Sequence, residues 1–199
     1  MLAAAERVFA NKGFHEATIS EIAKETGVSD ATIYEYFSTK EELLFSIPGG
    51  TARWFQGNLE DHLKMLRGAA NKLRGIIYHY LWLYETYPNY AAVAMLILKQ
   101  NRRFLETDAY KSIRELSRPI IDVIEEGQSS GEFKEDVNPY MMRSVILGSI
   151  EHMVIRRVLL GKPEKLLEFV DPLIDLFYDG IKKTGKGQEW NLNVTVTPA

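Results

Sequence analysis

The sequence predicts an all-α protein with a small N-terminal helical domain at residues 1–47, a larger helical domain at 48–184 and an extension at 185–199. Two observations predict this fold class. Apolar residues recur at helical spacing along most of the chain, and helix-capping pairs precede the first short helices. The apolar fraction of 46% in 199 residues is ample for a buried core, and the remainder is not biased enough to indicate disorder.

Composition and missing motifs exclude several classes of protein. The chain has no cysteine, which excludes disulfides and thiolate metal sites and favours a cytoplasmic location. No apolar run reaches ~18 residues and no signal segment opens the chain, so we expect no membrane insertion and no export. A phosphate loop, HExxH and a cysteine nucleophile are all absent from the sequence, so we predict no enzymatic activity and no cofactor.

The stretch from Thr18 to Lys40 predicts two short helices around a tight turn, followed by the start of a third helix. Gly27 suits the left-handed backbone conformation that ends many helices. Candidate caps stand at each helix start: Thr18 with Glu21, Ser29 alone, and Thr39 with Glu42. Three capped helices in this order favour a specific motif over an ordinary helical hairpin with a solvated face, which is the alternative.

The spacing of Ala23, Gly27, Val28 and Ile33 is that of a helix-turn-helix, whose second helix enters the DNA major groove. Polar side chains remain for the outward face of that helix, and hydroxyls and phenols can contact phosphates and base edges. These outward residues are Ser29, Asp30, Thr32, Tyr34, Glu35 and Tyr36.

Residues 9–44 contain F-x-x-K-G-F-x-x-A-T, I-A-K-E-T-G-V-S and T-I-Y-x-Y-F-x-x-K-E-E-L, and they closely resemble the N-terminal domain of TetR-family transcriptional regulators. The resemblance implies a homodimeric repressor that binds a palindromic double-stranded DNA operator until a small ligand binds its larger domain. It implies DNA contacts from Thr18, Ser29, Asp30, Ala31, Thr32, Tyr34, Tyr36 and Lys40. Tyr36 and Lys40 would mainly hold phosphates, and residues 30–34 would touch bases.

The charge of the predicted DNA-binding domain opposes this function. Residues 1–46 contain four Lys and Arg against eight Asp and Glu, although Lys and Arg supply most nonspecific DNA affinity. Asp30 stands where relatives often have Arg, Lys or a small residue, and no basic arm precedes the first helix. We expect a few residues to precede this numbering. The alternatives are a weak or unusually selective DNA binder, or a helical adaptor without DNA binding.

Helical patterns continue through the larger domain. The predicted helices are 40–67 with a kink or break at 48–50, 70–87, 89–107, 108–127 with a kink at Pro119, 139–160, and a final helix from Pro163 to 182. The tail from 185 loses the helical period, and its WNLNVTVT segment alternates like a strand, so we expect a partly ordered extension.

Aromatic residues concentrate in helix 70–87, and the basic residues Lys99, Arg102 and Arg103 follow an apolar run. Rings with polar tips suit an amphipathic ligand, and arginines at the mouth of an apolar tunnel would pair with its acidic headgroup. Core packing and a solvated helix end are the alternatives. The candidate ligand-binding residues are Trp82, Tyr84, Tyr87, Met95, Leu98, Ile150 and Met153 for the apolar part and Arg102, Arg103 and Arg156 for the headgroup.

The order of LKQNRRF, IEEGQSSGEFKEDVNP and ILGSIEHMVIRRVL is similar to the fatty-acid-responsive, FadR-like branch of the TetR family. This resemblance implies a small hydrophobic effector, specifically a long-chain fatty acyl-CoA. Sensors of aromatic drugs or other apolar molecules in the same family are the alternative.

The last two predicted helices, 139–160 and 163–182, have more apolar surface than one chain can bury. Gly148 and Ser149 would let another helix approach closely. We therefore predict a homodimer through a four-helix contact of more than ~1,500 Å². A dimer would present two recognition helices to half-sites about one DNA turn apart.

Overall fold

The computed structural model describes residues 1–183, and within that range the all-α fold class is confirmed. Its α-helices are α1 (Leu2–Glu16), α2 (Ile19–Thr26), α3 (Asp30–Tyr36), α4 (Lys40–Met65), α5 (Ala69–Thr86), α6 (Pro88–Ala92), α7 (Arg102–Leu105), α8 (Asp108–Glu115), α9 (Arg118–Ser129), α10 (Pro139–Leu160) and α11 (Val170–Ile181). A π-helix, Val93–Leu98, extends α6, and a 3₁₀ turn, Leu167–Phe169, precedes α11. The predicted extension at 185–199 lies outside the described residues.

Helices α1 to α3 and the start of α4 form a compact N-terminal unit, called the head below. Helix α1 packs against α2 and α4, and α2 packs against α3. Phe9, Ile22, Ile33 and Leu43 are fully buried between these helices. Gly27 ends α2 with φ 70°, the left-handed conformation predicted for it.

Helix α4 joins the head to the remaining helices, called the body below, and it is unbroken from Lys40 to Met65. The sequence predicted a kink or break at Pro48-Gly49-Gly50. The break is not present, because these residues stay helical. Buried side chains flank the proline on both sides, with Ile47 before it and Phe55 after it. Burial of these side chains, at about 1.5–3 kcal/mol each, offsets the roughly 3 kcal/mol that a helical proline costs.

Helix α5 lies at the centre of the body, where it contacts α4, α6, α9, α10 and α11. The predicted helix over 70–87 is thus confirmed within one residue at each end. Its N-terminus is capped from a distant loop, since the backbone N–H groups of Ala69 and Ala70 donate to the Glu132 carboxylate at 2.8 and 3.0 Å. Gly75 allows close packing, because a Cβ there would lie 2.7 Å from the Leu66 side chain.

Two predicted helices are each divided in the structure. The prediction over 89–107 becomes α6, the π-helix and the short α7, because the Asn101 side chain accepts from the N–H of Arg103 and caps a new helix start. The prediction over 108–127 becomes α8 and α9. Pro119 stands in the first turn of α9, where its missing N–H costs no helical hydrogen bond.

Helix α10 matches the predicted range 139–160, whereas the last helix is shorter than predicted. The predicted start at Pro163 is wrong: residues 167–169 form a 3₁₀ turn and α11 begins at Val170. The Glu85 carboxylate accepts from the N–H of Leu167 at 3.1 Å and holds this connection in place. Large apolar side chains remain exposed on α10 and α11: Tyr140, Met141, Val145, Leu159, Leu160 and Leu176.

Candidate nucleic-acid interface and ligand pocket

Helix α3 is the candidate recognition helix. The N–H of Thr32 donates to the Ser29 side chain at 3.1 Å, which confirms Ser29 as its N-cap. Ile33 is 0% exposed and fixes the inward face of the helix. The outward face is consequently held in a defined orientation by one cap and one buried anchor.

The helix starts on either side of α3 are also capped. Thr18 and Glu21 form the predicted capping box, with reciprocal backbone-to-side-chain hydrogen bonds of 3.2 Å. At α4 the Thr39 side chain accepts from the N–H of Glu42 at 3.0 Å, but the Glu42 carboxylate accepts from Ser38 instead of Thr39. The predicted second capping box is therefore only half formed.

The predicted DNA-contacting residues differ in how freely they face solvent. Tyr34 and Tyr36 are 52% and 70% exposed, and Ser29, Ala31 and Thr18 are exposed as well. Thr32 and Asp30 are half-buried, and the Asp30 carboxylate accepts a hydrogen bond from Ser20 on α2. The two tyrosines are thus the aromatic side chains of α3 that remain available to a ligand.

Lys40 makes contacts within the head. Its ammonium group donates to the carbonyl oxygen of Ala17 at 2.9 Å and lies 4.6 Å from the centre of the Phe14 ring. It therefore ties the start of α4 to the end of α1. A phosphate contact from Lys40, as the resemblance implies, would share an ammonium group that already has protein partners.

Two of the remaining basic residues of the head also pair internally. Arg7 pairs with Glu25, and Lys12 pairs with Glu21, which lowers the pKa of the Glu21 carboxyl. Lys24 on α2 is exposed and forms no ion pair within residues 1–183. Few positive charges of the head are consequently free to neutralise phosphates.

A pocket of about 360 Å³ lies in the body between α4, α5, α8 and α10. Its apolar wall comes mainly from Phe55 on α4, Leu83 on α5, Ile113 on α8 and Leu147 and Ile150 on α10. Four tyrosines add polar tips to this wall: Tyr80, Tyr84, Tyr90 and Tyr110. Such a combination suits an amphipathic ligand.

The tyrosines of the pocket are fixed by local contacts. The Tyr80 hydroxyl donates to the carbonyl oxygen of Leu116 at 3.0 Å, and the rings of Tyr84 and Tyr90 stack with centres 6.2 Å apart. Burial raises the pKa of the Tyr80, Tyr84 and Tyr90 phenols well above the ordinary value. These groups are therefore neutral hydrogen-bonding partners at physiological pH.

Charged side chains at the pocket are predominantly positive. Lys99 pairs with Glu151, whereas Arg114 on α8 and Arg143 on α10 form no ion pair within residues 1–183. The guanidinium group of Arg143 lies 5.6 Å from the centre of the Tyr140 ring. Two guanidinium groups are thus available to an anionic group on a ligand.

The structure separates the predicted ligand-binding residues. Tyr84 and Ile150 line the pocket, and Arg102 lines a different cleft. Trp82 and Tyr87 pack against Trp54 on the other side of α5. The remaining candidates lie elsewhere: Met95 and Leu98 in the core, Arg103 in an ion pair with Glu41, and Met153 and Arg156 on α10 outside these cavities.

Two other cavities are less suited to a charged amphipathic ligand. A cleft of about 620 Å³ lies between α1 and the segment 92–102, and Arg102 is its one arginine. A slot of about 240 Å³ lies between α4 and α5 with Trp54, Trp82 and His79 in its walls, and its walls contain no Lys or Arg. Of these three cavities, only the pocket between α4, α5, α8 and α10 combines an apolar wall with several cations.

The sequence-based reasoning missed Arg143 and Arg114. Arg143 had a usable signal, because it is the one charged residue in the first half of α10, whose other residues there are mostly apolar. Arg114 had none, since α8 is rich in charged residues and exposes most of them.

Comparisons with known proteins agree with both regions. The family model of bacterial regulatory proteins of the TetR family matches residues 1–47, and that of the YsiA-like protein C-terminal region matches residues 53–180. The fatty acid metabolism regulator protein of Bacillus subtilis (strain 168) is 30% identical over 178 residues, which cover 89% of this chain and 92% of that protein.

Solved structures show the same similarity. A crystal structure of the transcriptional regulator FadR from Bacillus subtilis in complex with stearoyl-CoA superposes with a TM-score of 0.80 at 30% identity, over 90% of this chain and 97% of that one. FadR from Bacillus halodurans gives a TM-score of 0.83 at 26% identity, over 90% and 93% of the two chains. No helix in residues 1–183 is both long and apolar enough to cross a membrane.

Proposed function

The chain belongs to the TetR family of bacterial regulatory proteins, and from this premise we propose that it is a dimeric cytoplasmic repressor released from a palindromic operator by a long-chain fatty acyl-CoA. Residues 1–47 would bind DNA, and residues 48–184 would bind the effector and form the dimer. The relative with stearoyl-CoA in its crystal structure supports this class of effector.

The main support for an acyl-CoA effector is the pocket between α4, α5, α8 and α10. Its wall of Phe55, Leu83 and Leu147 would hold the acyl chain, because burial of each CH₂ group contributes about 0.8 kcal/mol. Arg114 and Arg143 would pair with the phosphates of the CoA portion, since guanidinium groups form bidentate hydrogen bonds with phosphate oxygens. These two arginines replace Arg102, Arg103 and Arg156 as the proposed headgroup ligands.

Helix α4 provides a direct connection between the pocket and the head. Phe55 lines the pocket, and Leu43 of the same unbroken helix is buried in the head. The two residues are separated by about 18 Å along the helix axis. A shift of Phe55 caused by an acyl chain would therefore move the start of α4 and change the spacing between the two heads of a dimer.

The exposed apolar surface of α10 and α11 supports the dimer. Met141, Leu160 and Leu176 are all more than half exposed, although apolar side chains of this size gain from burial. A four-helix contact between two copies would cover them. The dimer helices proposed are 139–160 and 170–181, which corrects the predicted range 163–182.

The proposal is tested by fluorescence anisotropy of a labelled DNA fragment from upstream of this protein's own gene. We expect binding that saturates at nanomolar to micromolar protein and is reversed by a long-chain acyl-CoA, but not by CoA or by a short-chain acyl-CoA. Tyr36→Ala should weaken binding, whereas Tyr78→Ala, which removes an exposed phenol from α5, should not. Absence of binding at low salt would leave the adaptor hypothesis standing.

A second effector class is favoured by one observation. Four tyrosines line the pocket, and aromatic rings stack well on planar ligands. An aromatic or other apolar effector would release DNA without needing an anionic group. The same titration distinguishes the two, because Arg143→Ala would weaken the effect of acyl-CoA and leave that of a neutral aromatic ligand unchanged.

A further inference from the structure

The outward face of α3 has an acidic residue at its centre. At 100° per residue, Glu35 lies about 160° around the helix from the fully buried Ile33, and Ala31 lies about 160° from it in the opposite sense, one turn earlier. Tyr34 and Tyr36 flank this line on its two sides. The helix contains neither Lys nor Arg, so the charged side chain that points most directly away from the protein is a carboxylate.

Glu35 is also one of the few carboxylates of the head without a partner. Five of the eight are held by partners: Glu21 by Lys12, Glu25 by Arg7, Asp30 by Ser20, Glu41 by Arg103 and Glu42 by the Ser38 N–H. Glu35 is exposed and makes no hydrogen bond or ion pair within residues 1–183. Its charge is therefore available to a bound molecule.

An unpaired carboxylate at a DNA interface weakens binding wherever it meets only phosphates or base acceptors. Guanine presents N7 and O6 acceptors in the major groove, and thymine presents O4. Adenine presents an N6 donor, but its N7 acceptor lies beside it. Cytosine presents an N4 donor and no acceptor of its own in the groove, so it is the base that a carboxylate tolerates best.

We propose that Glu35 reads one cytosine in each operator half-site by accepting a hydrogen bond from its N4 amino group. This inference rests on the proposed function, because it requires α3 to enter the major groove. The same contact would make an acidic head selective. Repulsion from acceptors on the other bases would weaken binding to incorrect sequences, and cytosine at this position would avoid that repulsion. Arg–guanine contacts, the commonest specific kind, cannot come from α3.

The inference is tested by selecting bound sequences from a random DNA library with the full chain and two variants. Glu35→Gln keeps the size of the side chain and adds a donor, so it should move the preference from cytosine to adenine, which glutamine reads through N6 and N7. We expect the preference for cytosine at that position to fall roughly tenfold.

Glu16→Gln is the matched control. Glu16 is an exposed carboxylate at the end of α1 that also has no partner within residues 1–183, so its removal changes the head charge by the same amount. It should alter affinity for all sequences equally and leave the base preference unchanged. Thermal unfolding of each variant checks that the head remains folded.

The outcomes separate this inference from the proposed function. A wild-type chain that selects a sequence containing cytosine, with the shift to adenine in Glu35→Gln, supports both. Unchanged base preferences in Glu35→Gln, with uniformly tighter binding, would overturn the Glu35 inference alone. A wild-type chain that enriches no sequence would overturn the proposed function and this inference with it.

Discussion

The head and the pocket differ in how well their charges match those of their proposed ligands. The head would bind a polyanion, yet it contains more acidic than basic residues, and most of its basic groups are paired internally. The pocket would bind an apolar chain that carries anionic phosphates, and it has two arginines that form no ion pair within residues 1–183. Net charge therefore does not identify the ligand of the head.

This difference shows that binding depends more on which charged groups are free to contact a ligand than on the net charge of the region. In the head, Arg7 and Lys12 pair with carboxylates, so DNA affinity would depend on Lys24 and Lys40 together with helix N-termini, hydroxyls and phenols. In the pocket, Arg114 and Arg143 form no ion pair within residues 1–183, so both guanidinium groups can pair with an anion. The first site would select DNA by exclusion, and the second would select its ligand by attraction.

The largest expected effect is the salt dependence of operator binding. Within residues 1–183, Lys24 and Lys40 are the basic residues of each head that do not pair with a carboxylate, so a dimer would neutralise about four phosphates. The logarithm of the binding constant should then fall with a slope of about −4 against the logarithm of salt, or roughly a hundredfold between 50 and 200 mM. Anisotropy titrations at four salt concentrations measure it, and a slope near −8 would show that the paired cations also reach DNA.

The next effect concerns the pocket. Arg143→Ala should raise the acyl-CoA concentration needed to release DNA by at least about tenfold, because a charge-assisted hydrogen bond contributes about 1.5–3 kcal/mol. DNA affinity without effector should not change. Arg156→Ala, on the exposed side of the same helix, is the matched control. Equal sensitivity of both variants would show that Arg143 contributes only general positive charge.

A smaller effect is expected from the cap of the recognition helix. Ser29→Ala removes the acceptor of the Thr32 N–H and should cost about 1 kcal/mol, which corresponds to about fivefold weaker operator binding. Thr107→Ala removes an equivalent cap from α8 in the body, where the N–H of Tyr110 donates to it at 3.2 Å. That control should lose similar stability and keep its DNA affinity. Undiminished DNA binding by Ser29→Ala would contradict a role for α3 as the recognition helix.

The smallest effect is a pH dependence of stability in the body. Burial, and secondarily the His62 ring 4.8 Å away, lower the pKa of His79 to about 4. Because the unfolded chain takes up this proton near pH 6.5 and the folded chain does not, stability is lost as pH falls from 6.5 towards 4. The melting temperature of His79→Leu should fall by roughly 2 °C less than that of the wild type over this interval. An equal decrease in melting temperature for the two proteins would contradict this role of His79.

The head could be predicted from the sequence because its signals are local. Thr18, Gly27, Ser29 and Ile33 act on neighbours within a few residues, and the structure confirms the cap, the turn and the buried anchor. The exception is Lys40, whose partner carbonyl at Ala17 lies 23 residues earlier in the chain. Local patterns cannot specify such a contact.

The pocket could be predicted only in part because residues from four distant segments meet there. Trp82 and Tyr84 looked equivalent in sequence, but two residues turn a helix by about 200°, so they face different neighbours. The cap of α5 by Glu132 spans 63 residues. Gly127 shows the same limit, since a Cβ there would lie 2.1 Å from the Phe133 ring, a constraint that only the fold reveals.

The most direct test of the proposed effector site is photo-crosslinking with a long-chain acyl-CoA that bears a diazirine near the end of its acyl chain. Peptide mapping after irradiation identifies the residues in contact with the chain. We predict adducts on the pocket between α4, α5, α8 and α10, at residues such as Phe55, Leu83 and Leu147, and competition by unlabelled acyl-CoA. Adducts instead at Phe14 and Leu96, in the cleft beside α1, would contradict the proposed site.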